Sequence, residues 1–485
     1  MDKEPWACFN VNTQVQTAPR RPIGSLPPAD LLVGAAALLA VVLLLSAYAA
    51  LPGLEVFGHD EVHYYADFNF KLGEDGRWLN FLLHDFLRSV PPGTWACLLL
   101  ATAWVLFFRL ALSLDFDVAY AALVASTILL APPFVEQSLW PATTIPAVIV
   151  LLFAGLLVER GLPCSFIYLL CGILIFGSMQ GFYFLLPIFF LGQFTTPMKA
   201  GERRWPMLIR HMSWWVVGAI TGVLVMSCIL WYKTGHFGVQ PAEWRRTQPA
   251  HDLAGLTRNF LYVVDAFWRQ TTQLLRVAGV NREWFLVCVG LATFLRSRAL
   301  LTTCHALLLL AAVAAAFFAF SIPLAPIIQS RSLVALSVAV VLLVALGPGS
   351  SVTGRLLGAL LLLSISHRFS TNGEAYIAEH KAETSYVYNK LQELIPGYPA
   401  GYTAIALYGS VGDGAPEARL FNNAPRMHSI VHALGVRDYR DCRQGFDTRC
   451  ENMSGKSPIA TLPFARGRLL FSVGQGNIGE VQYLE

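Results

Sequence analysis

The sequence predicts a polytopic α-helical membrane protein of about eleven spans with a small extracytoplasmic α/β domain at its C-terminus. Three observations lead there. Of 485 residues, 55% are apolar and only 14% charged, where a soluble globular chain carries roughly 25% charged residues; the mean hydropathy is +0.52. Apolar stretches able to cross a hydrocarbon core of about 30 Å recur along the chain. From Ser370 onward the chain becomes polar, mixed in charge and rich in turn residues, with a helix expected at Ala375–Ile395.

The spans are read, in order, near Leu31–Leu51, Trp95–Leu114, Val118–Phe134, Leu139–Leu157, Ser165–Gln180, Gly181–Phe194, Met212–Tyr232, Trp284–Leu295, Leu301–Phe320, Leu333–Leu346 and Leu356–His367. The fifth and sixth are either two spans or one broken unit. The first follows a polar, Pro-rich lead holding Arg20 and Arg21 and lacks a small-residue cleavage site, so it reads as an anchor and not as a removed signal peptide.

Orientation comes from the tendency of Lys and Arg in short loops to stay in the cytoplasm. With Arg20 and Arg21 inside, alternation puts Arg109, Arg160, the group Lys199/Arg203/Arg204/Arg210, Arg296/Arg298 and Arg355 inside as well. The resulting domains are a cytoplasmic segment 1–29, a transmembrane domain 30–368 with exterior loops 52–94 and 233–283, and an extracytoplasmic α/β domain 369–485. One exterior loop, Lys233–Glu283, is itself basic: either the alternation is off by one span upstream, or the charge has a local anionic client, the reading preferred because moving this loop inside would misplace the neighbouring basic loops. Within it, apolar residues between Leu253 and Ala278 recur at helical spacing while Arg258, Asp265, Arg269 and Arg276 take the other face. That pattern describes either a helix lying along the membrane surface, apolar side down, or an ordinary packed loop helix.

Several function classes recede. The excess of 35 Lys+Arg over 31 Asp+Glu is only +4, with no basic run, so a nucleic-acid partner is not indicated. Nine cysteines without a C-x-x-C pair suggest neither a zinc site nor a disulfide-rich scaffold. Cys442 and Cys450 lie close enough in one loop to pair in an oxidising exterior. No internal repeat is visible, and the spans hold almost no acidic residues at mid-membrane, which weakens a transporter or lipid-flippase reading.

The residues able to do chemistry cluster at the exterior ends of spans. Asp60 and Glu61 follow the first span closely, flanked by His59 and His63; a carboxylate there is either a general base for a sugar hydroxyl or, for Asp60, a helix cap. Asp67, Glu74 and Asp75 are further acids in the same loop. In G-R-W (Gly76–Trp78), Arg77 is a candidate cation for the donor phosphate, beside an aromatic suited to stacking on a sugar ring. Arg331, in the Pro-rich turn leading to S-R-S and the tenth span, joins a guanidinium to the positive end of a helix, a phosphate-binding combination; the alternative is an Arg that snorkels to headgroups. His367 and Arg368 form a second cationic candidate. Glu136, Gln137, Gln180 and Tyr183, in P-P-F-V-E-Q-S-L-W-P and G-S-M-Q-G-F-Y-F, either line a pocket or cap buried spans. Acids at Asp60, Glu61, Asp67 and Asp75 could hold Mg or Mn, although no spacing demands a divalent cation.

The acidic pair after the first span, the G-R-W, the turn into S-R-S and the Tyr-bearing amphipathic helix after the last span together resemble the Gtr type II family of membrane glucosyltransferases, of the GT-C class. The resemblance covers Pro52 to about Ile395, in layout more than in tight motif. It implies a polyprenyl-phosphate-linked sugar donor, an inverting transfer of a hexose onto a lipopolysaccharide O-antigen or other surface glycan, and residence in a bacterial inner membrane with the C-terminal domain in the periplasm. It places the catalytic acids at Asp60 and Glu61 and the phosphate-side cation at Arg331. The pair here is Asp-Glu, where the family pattern suggests Asp-Asp, leaving open which carboxylate is the base. Besides the transporter, a non-catalytic glycan-assembly subunit is the rival expectation.

Overall fold

The computed structural model describes residues 28–58, 61, 72–73, 75–195, 204–239, 246–281, 300–347, 352–395, 397, 404–411, 418–421, 424–433, 436, 438–442, 460–463, 467–475 and 482–483. In chain order its helices are α1 (Pro28–Ala47), α2 (Trp78–Leu82), α3 (His84–Arg88), α4 (Pro92–Ser113), α5 (Val118–Leu130), α6 (Pro132–Gln137), α7 (Pro141–Glu159), α8 (Cys164–Phe176), α9 (Gly192–Thr195), α10 (Arg204–Thr234), α11 (Leu253–Val277), α12 (Leu300–Ser321), α13 (Val334–Leu346) and α14 (Val352–Leu394). The span expected at Trp284–Leu295 lies outside the described residues.

Among the described residues, five helical segments are long and apolar enough to cross a membrane: Pro28–Gly53, Pro92–Ser113, Pro141–Glu159, Arg204–Thr234 and Cys304–Ser321. Three shorter apolar helices, α5, α8 and α13, accompany them. Such stretches satisfy every backbone hydrogen bond internally, the condition for residence in hydrocarbon. The molecule is therefore a helical membrane protein.

Contacts divide the chain into two compact units. The first takes in Met1–Ala49, Asn69–His84 and Thr94–Glu374, the apolar helices. Its two ends are chemically distinct. At one end the Arg355 guanidinium pairs with Asp117 and, at 3.5 Å, with Asp30, tying the starts of α14, α5 and α1 together. Asp117 also caps α5 by accepting from the Tyr120 amide at 3.0 Å. Arg109 on α4 pairs with Glu159 at the end of α7, so Arg109, Arg160 and Arg355, which alternation assigns to one side, do share an end of the bundle. At the opposite end the Tyr48 hydroxyl donates to the Leu129 carbonyl at 2.6 Å and Ser46 donates to Glu374 at 2.7 Å.

Helices α8 and α10 pack through glycines. A Cβ on Gly218 would lie 2.5 Å from the Tyr168 carbonyl oxygen, and one on Gly172 only 2.4 Å from that of Gly218. Between lipid-embedded helices, where the hydrophobic effect gives no net drive to associate, close approach of this kind supplies the dispersion contacts that hold a pair. Gly218→Ala is expected to lower thermal stability in detergent by about 1–3 kcal/mol through overpacking. Gly34→Ala, where the new methyl meets nothing within 4 Å, should leave the melting curve unchanged; equal melting of both variants would refute the packing argument.

Two elements differ from the sequence expectation. The sixth span is a 3-10 helix, Gln180–Phe190, with Pro187 inside it; proline removes an amide donor and disfavours an uninterrupted α-helix. The last span and the amphipathic helix expected at Ala375–Ile395 are one helix, α14, of 43 residues and roughly 65 Å. Nothing between them breaks a helix: Thr371 donates to the His367 carbonyl at 3.0 Å, and Gly373 lies close to Val135 and Ala47.

The second unit comprises Ala50–Phe68, Asp85–Gly93 and Ala375–Glu485, so parts of the first loop group with the C-terminal residues. Strands β1 (Ala404–Val411), β2 (Asp438–Asp441), β3 (Ala460–Pro463), β4 (Gly467–Gln475) and β5 (Gln482–Tyr483) form one sheet in the order β2-β1-β4-β3, with β5 also on β4. Strands β1 and β2 are parallel, joined by α15 (Ala418–Phe421) and α16 (Ala424–Ala433), whereas β4 is antiparallel to its neighbours. Alternation along β1 sends Ile405 and Leu407 into a core with Val387 and Leu391 of α14 and Ile430 of α16. Cys442 is disulfide-bonded; Cys450, the partner expected from the sequence, is outside the described residues.

Candidate functional site

A polar layer lies at the end of the first unit opposite the Asp30–Arg355–Asp117 contacts. It is built where helices start and stop, because those are the places at which an apolar bundle leaves backbone groups to satisfy. The turn at Asp75–Asn80 docks on the end of α8: the Leu79 amide donates to the Gly177 carbonyl at 2.7 Å, and the Trp78 indole covers Gly177. Gly76 makes this possible with φ +68°, and a Cβ there would lie 2.5 Å from Met226 Sδ. Asn80, fully buried, donates to the Thr143 carbonyl at 3.0 Å and so joins the turn to α7.

Within this turn Arg77 and Asp75 form an ion pair at 3.2 Å, both side chains at least nine-tenths buried. Gln180 donates from Nε2 to the Asp75 carbonyl at 2.7 Å and to that of Phe176 at 3.2 Å. Trp78 Nε1 and Ser178 Oγ are shielded from solvent without a hydrogen-bond partner among the described residues.

The second half of the layer surrounds Arg331. The 3-10 turn Ser330–Ser332 leads into α13, which sets Arg331 just before a helix N-terminus in the chain. That guanidinium stacks on the Trp140 ring, 4.5 Å from its centroid. Gln137 donates to the Arg331 carbonyl at 2.7 Å and accepts from Thr144 at 3.0 Å, tying the turn to α6 and α7. Ser330 donates to Glu136. Burial holds the Glu136 carboxyl above the usual carboxylate range, opposed by the Ser330 hydrogen bond and the Arg331 charge. A carboxyl raised in this way favours folding while protonated, and that contribution fades as pH climbs from its ordinary value of 4.5 through its folded value. Glu136→Gln is accordingly expected to flatten the fall of melting temperature with pH above 4.5; parallel melting profiles for wild type and variant would contradict it.

The structure therefore brings Glu136, Gln137 and Arg331 together, and Arg77, Trp78 and Gln180 together, within one unit. Tyr183 is placed elsewhere: its hydroxyl donates to the Trp215 carbonyl at 2.6 Å inside the aromatic packing, so it is a buried core residue. His367 and Arg368 are exposed on α14, with the Arg368 side chain against Gly279. Glu61 is 3% exposed and belongs to the second unit. His59, Asp60, His63, Asp67 and Glu74 are outside the described residues. Sequence reasoning missed Trp140, Thr144, Asn80 and Ser330; Trp140 and Ser330 stood inside stretches it had singled out. No group of three or more metal-ligating side chains occurs among the described residues.

The arrangement gives a fixed, half-exposed guanidinium, a carboxyl of raised proton affinity and a set of amide donors at one end of a membrane bundle. That defines the class: a membrane-embedded helical protein with a charged polar layer at a helix-terminal surface. No family model matches the chain, and no curated protein or solved structure matches it.

Proposed function

We propose that the chain is an inverting GT-C-type glycosyltransferase of the bacterial inner membrane, moving a hexose, glucose by the family resemblance, from polyprenyl phosphate to a cell-surface glycan. The observation that carries the reading is Arg331, stacked on Trp140 and set just before α13 near the half-buried Glu136. A guanidinium with a helix N-terminus stabilises negative charge that grows on a departing phosphate. In the transfer, a carboxylate takes the proton of the acceptor hydroxyl, the hydroxyl oxygen bonds to the anomeric carbon, and the bond from that carbon to the phosphate oxygen breaks, releasing polyprenyl phosphate. Asp60 and Glu61 are the proposed bases. The reading includes about eleven spans in all.

The test is sugar transfer in membranes supplied with a synthetic polyprenyl-phosphate hexose. Asp60→Asn and Glu61→Gln are expected to lower transfer by about a hundredfold or more for whichever is the base. Undiminished transfer in both variants removes these two carboxylates from the reaction.

A further inference from the structure

Helix α11 carries a surface that the transfer reaction does not use. Its 25 residues extend roughly 37 Å and divide into three lengthwise sectors. One sector is packed: Asn259, Val263, Ala266 and Leu274 are buried, and Phe267 meets Phe318 edge-on at 5.1 Å. The second is apolar yet open, with Leu253 78%, Leu261 62% and Phe260 50% exposed. The third holds Arg258, Arg269 and Arg276, of which Arg269 pairs with Asp265 at 2.8 Å. Among the described residues no ion pair engages Arg258 or Arg276.

Among the described residues, the hydrogen bonds from this segment to the region of α12 fall at one level of the bundle. Gln248 donates to the Leu324 carbonyl at 2.7 Å, Ala250 to that of Pro323 at 3.0 Å, and Gln270 to that of Ile328 at 3.4 Å. Together with Phe318, these are the last turn of the span α12 and the residues just beyond it. A helix running parallel to a span would spread its ties along the span's length. This one crosses the span's end, where hydrocarbon gives way to headgroups. An open groove of about 620 Å³ lies along it, lined by Asp265, Trp268, Arg269, Thr272, Gln273 and Arg276; the Asp265 carboxylate there is held by Arg269.

The geometry points to α11 as an in-plane helix that seats the phosphate of anionic membrane phospholipids in the Arg269–Arg276 groove, its open apolar face resting on the acyl chains. Three features identify the occupant. Spans place a bilayer around this unit, an exposed apolar stripe beside an arginine flank is complementary to an acyl layer beneath a phosphate layer, and Arg276, which no ion pair engages among the described residues, finds a counter-charge there while Arg269 shares its charge with Asp265. The inference rests on the membrane spans and not on the transfer reaction, so either can fail without the other.

The test has two arms on the full chain in nanodiscs. In the first, an environment-sensitive fluorophore is placed at Phe260→Cys or Tyr262→Cys, in a background without other reactive thiols, with nitroxide lipids as quencher. Strong quenching at position 260 and weak quenching at 262 is expected; equal, water-like signals at both overturn the docking. In the second, native mass spectrometry reads retained lipid after release from equimolar phosphatidylglycerol and phosphatidylcholine. Phosphatidylglycerol is expected to dominate, with its excess falling about fivefold per arginine removed in Arg269→Gln and Arg276→Gln and surviving in Arg276→Lys. No excess in the wild type, or an excess untouched by either Gln variant, overturns the phosphate assignment.

Discussion

Arg331→Ala is expected to reduce polyprenyl-phosphate-dependent transfer by about 10²–10³-fold, the range found when one donor to a developing anion is removed. The loss should fall mainly on kcat, because negative charge on the leaving phosphate is greatest in the transition state. Arg331→Lys keeps the charge but loses the planar fork and the stacking on Trp140, 4.5 Å from the guanidinium, so an intermediate rate is expected. Trp140→Leu should act in the same direction more weakly, since it leaves Arg331 in place while removing the surface that orients it. These three rates, measured in one membrane preparation normalised for protein amount, form a ranked series. Should Arg331→Ala match the wild type while the fold persists, Arg331 has no part in holding phosphate and the transferase reading loses its main support.

The series also bears on how much the sequence could reveal. The position of Arg331 was legible, because a charged residue between a Pro-rich turn and an apolar run has few places to go other than a helix start at the membrane boundary. Its stacking on Trp140 was not, since no local rule relates residues almost two hundred positions apart. The amphipathic helix was legible almost to the residue, Leu253–Ala278 expected against Leu253–Val277 found, because period and capping Asp252 agree. The continuity of α14 was missed: a change from apolar to polar composition was read as a boundary, yet composition marks a change of surroundings and only Pro or a capping motif marks the end of a helix. Gly218 and Gly222 form a G-x-x-x-G pattern in a span, a signal for close helix packing that was present and not used. Tyr183 went astray for the opposite reason. A hydroxyl near a span end looks available from sequence, and only packing shows that it has already found the Trp215 carbonyl.

Arg77 separates a structural from a ligand-binding role most sharply. The sequence reading offers it as a cation for donor phosphate, whereas the structure pairs it with Asp75 at 3.2 Å inside the turn that docks on α8. Removing one partner of such a pair leaves a charge shielded from water, so Arg77→Met is expected to destabilise the protein by about 3–5 kcal/mol. The double variant Asp75→Asn/Arg77→Met removes both charges and should recover much of that loss, because the penalty lies in a buried carboxylate deprived of its guanidinium more than in the absent attraction. Unfolding in detergent, followed by circular dichroism for both variants and the wild type, reads the difference directly. A free phosphate-binding arginine predicts the reverse pattern: an unchanged unfolding curve for Arg77→Met, with transfer lost equally in the single and double variants. The buried pair predicts an unstable single variant and a largely restored double one, and the turn that presents Trp78 to Gly177 would then owe its position to this ion pair.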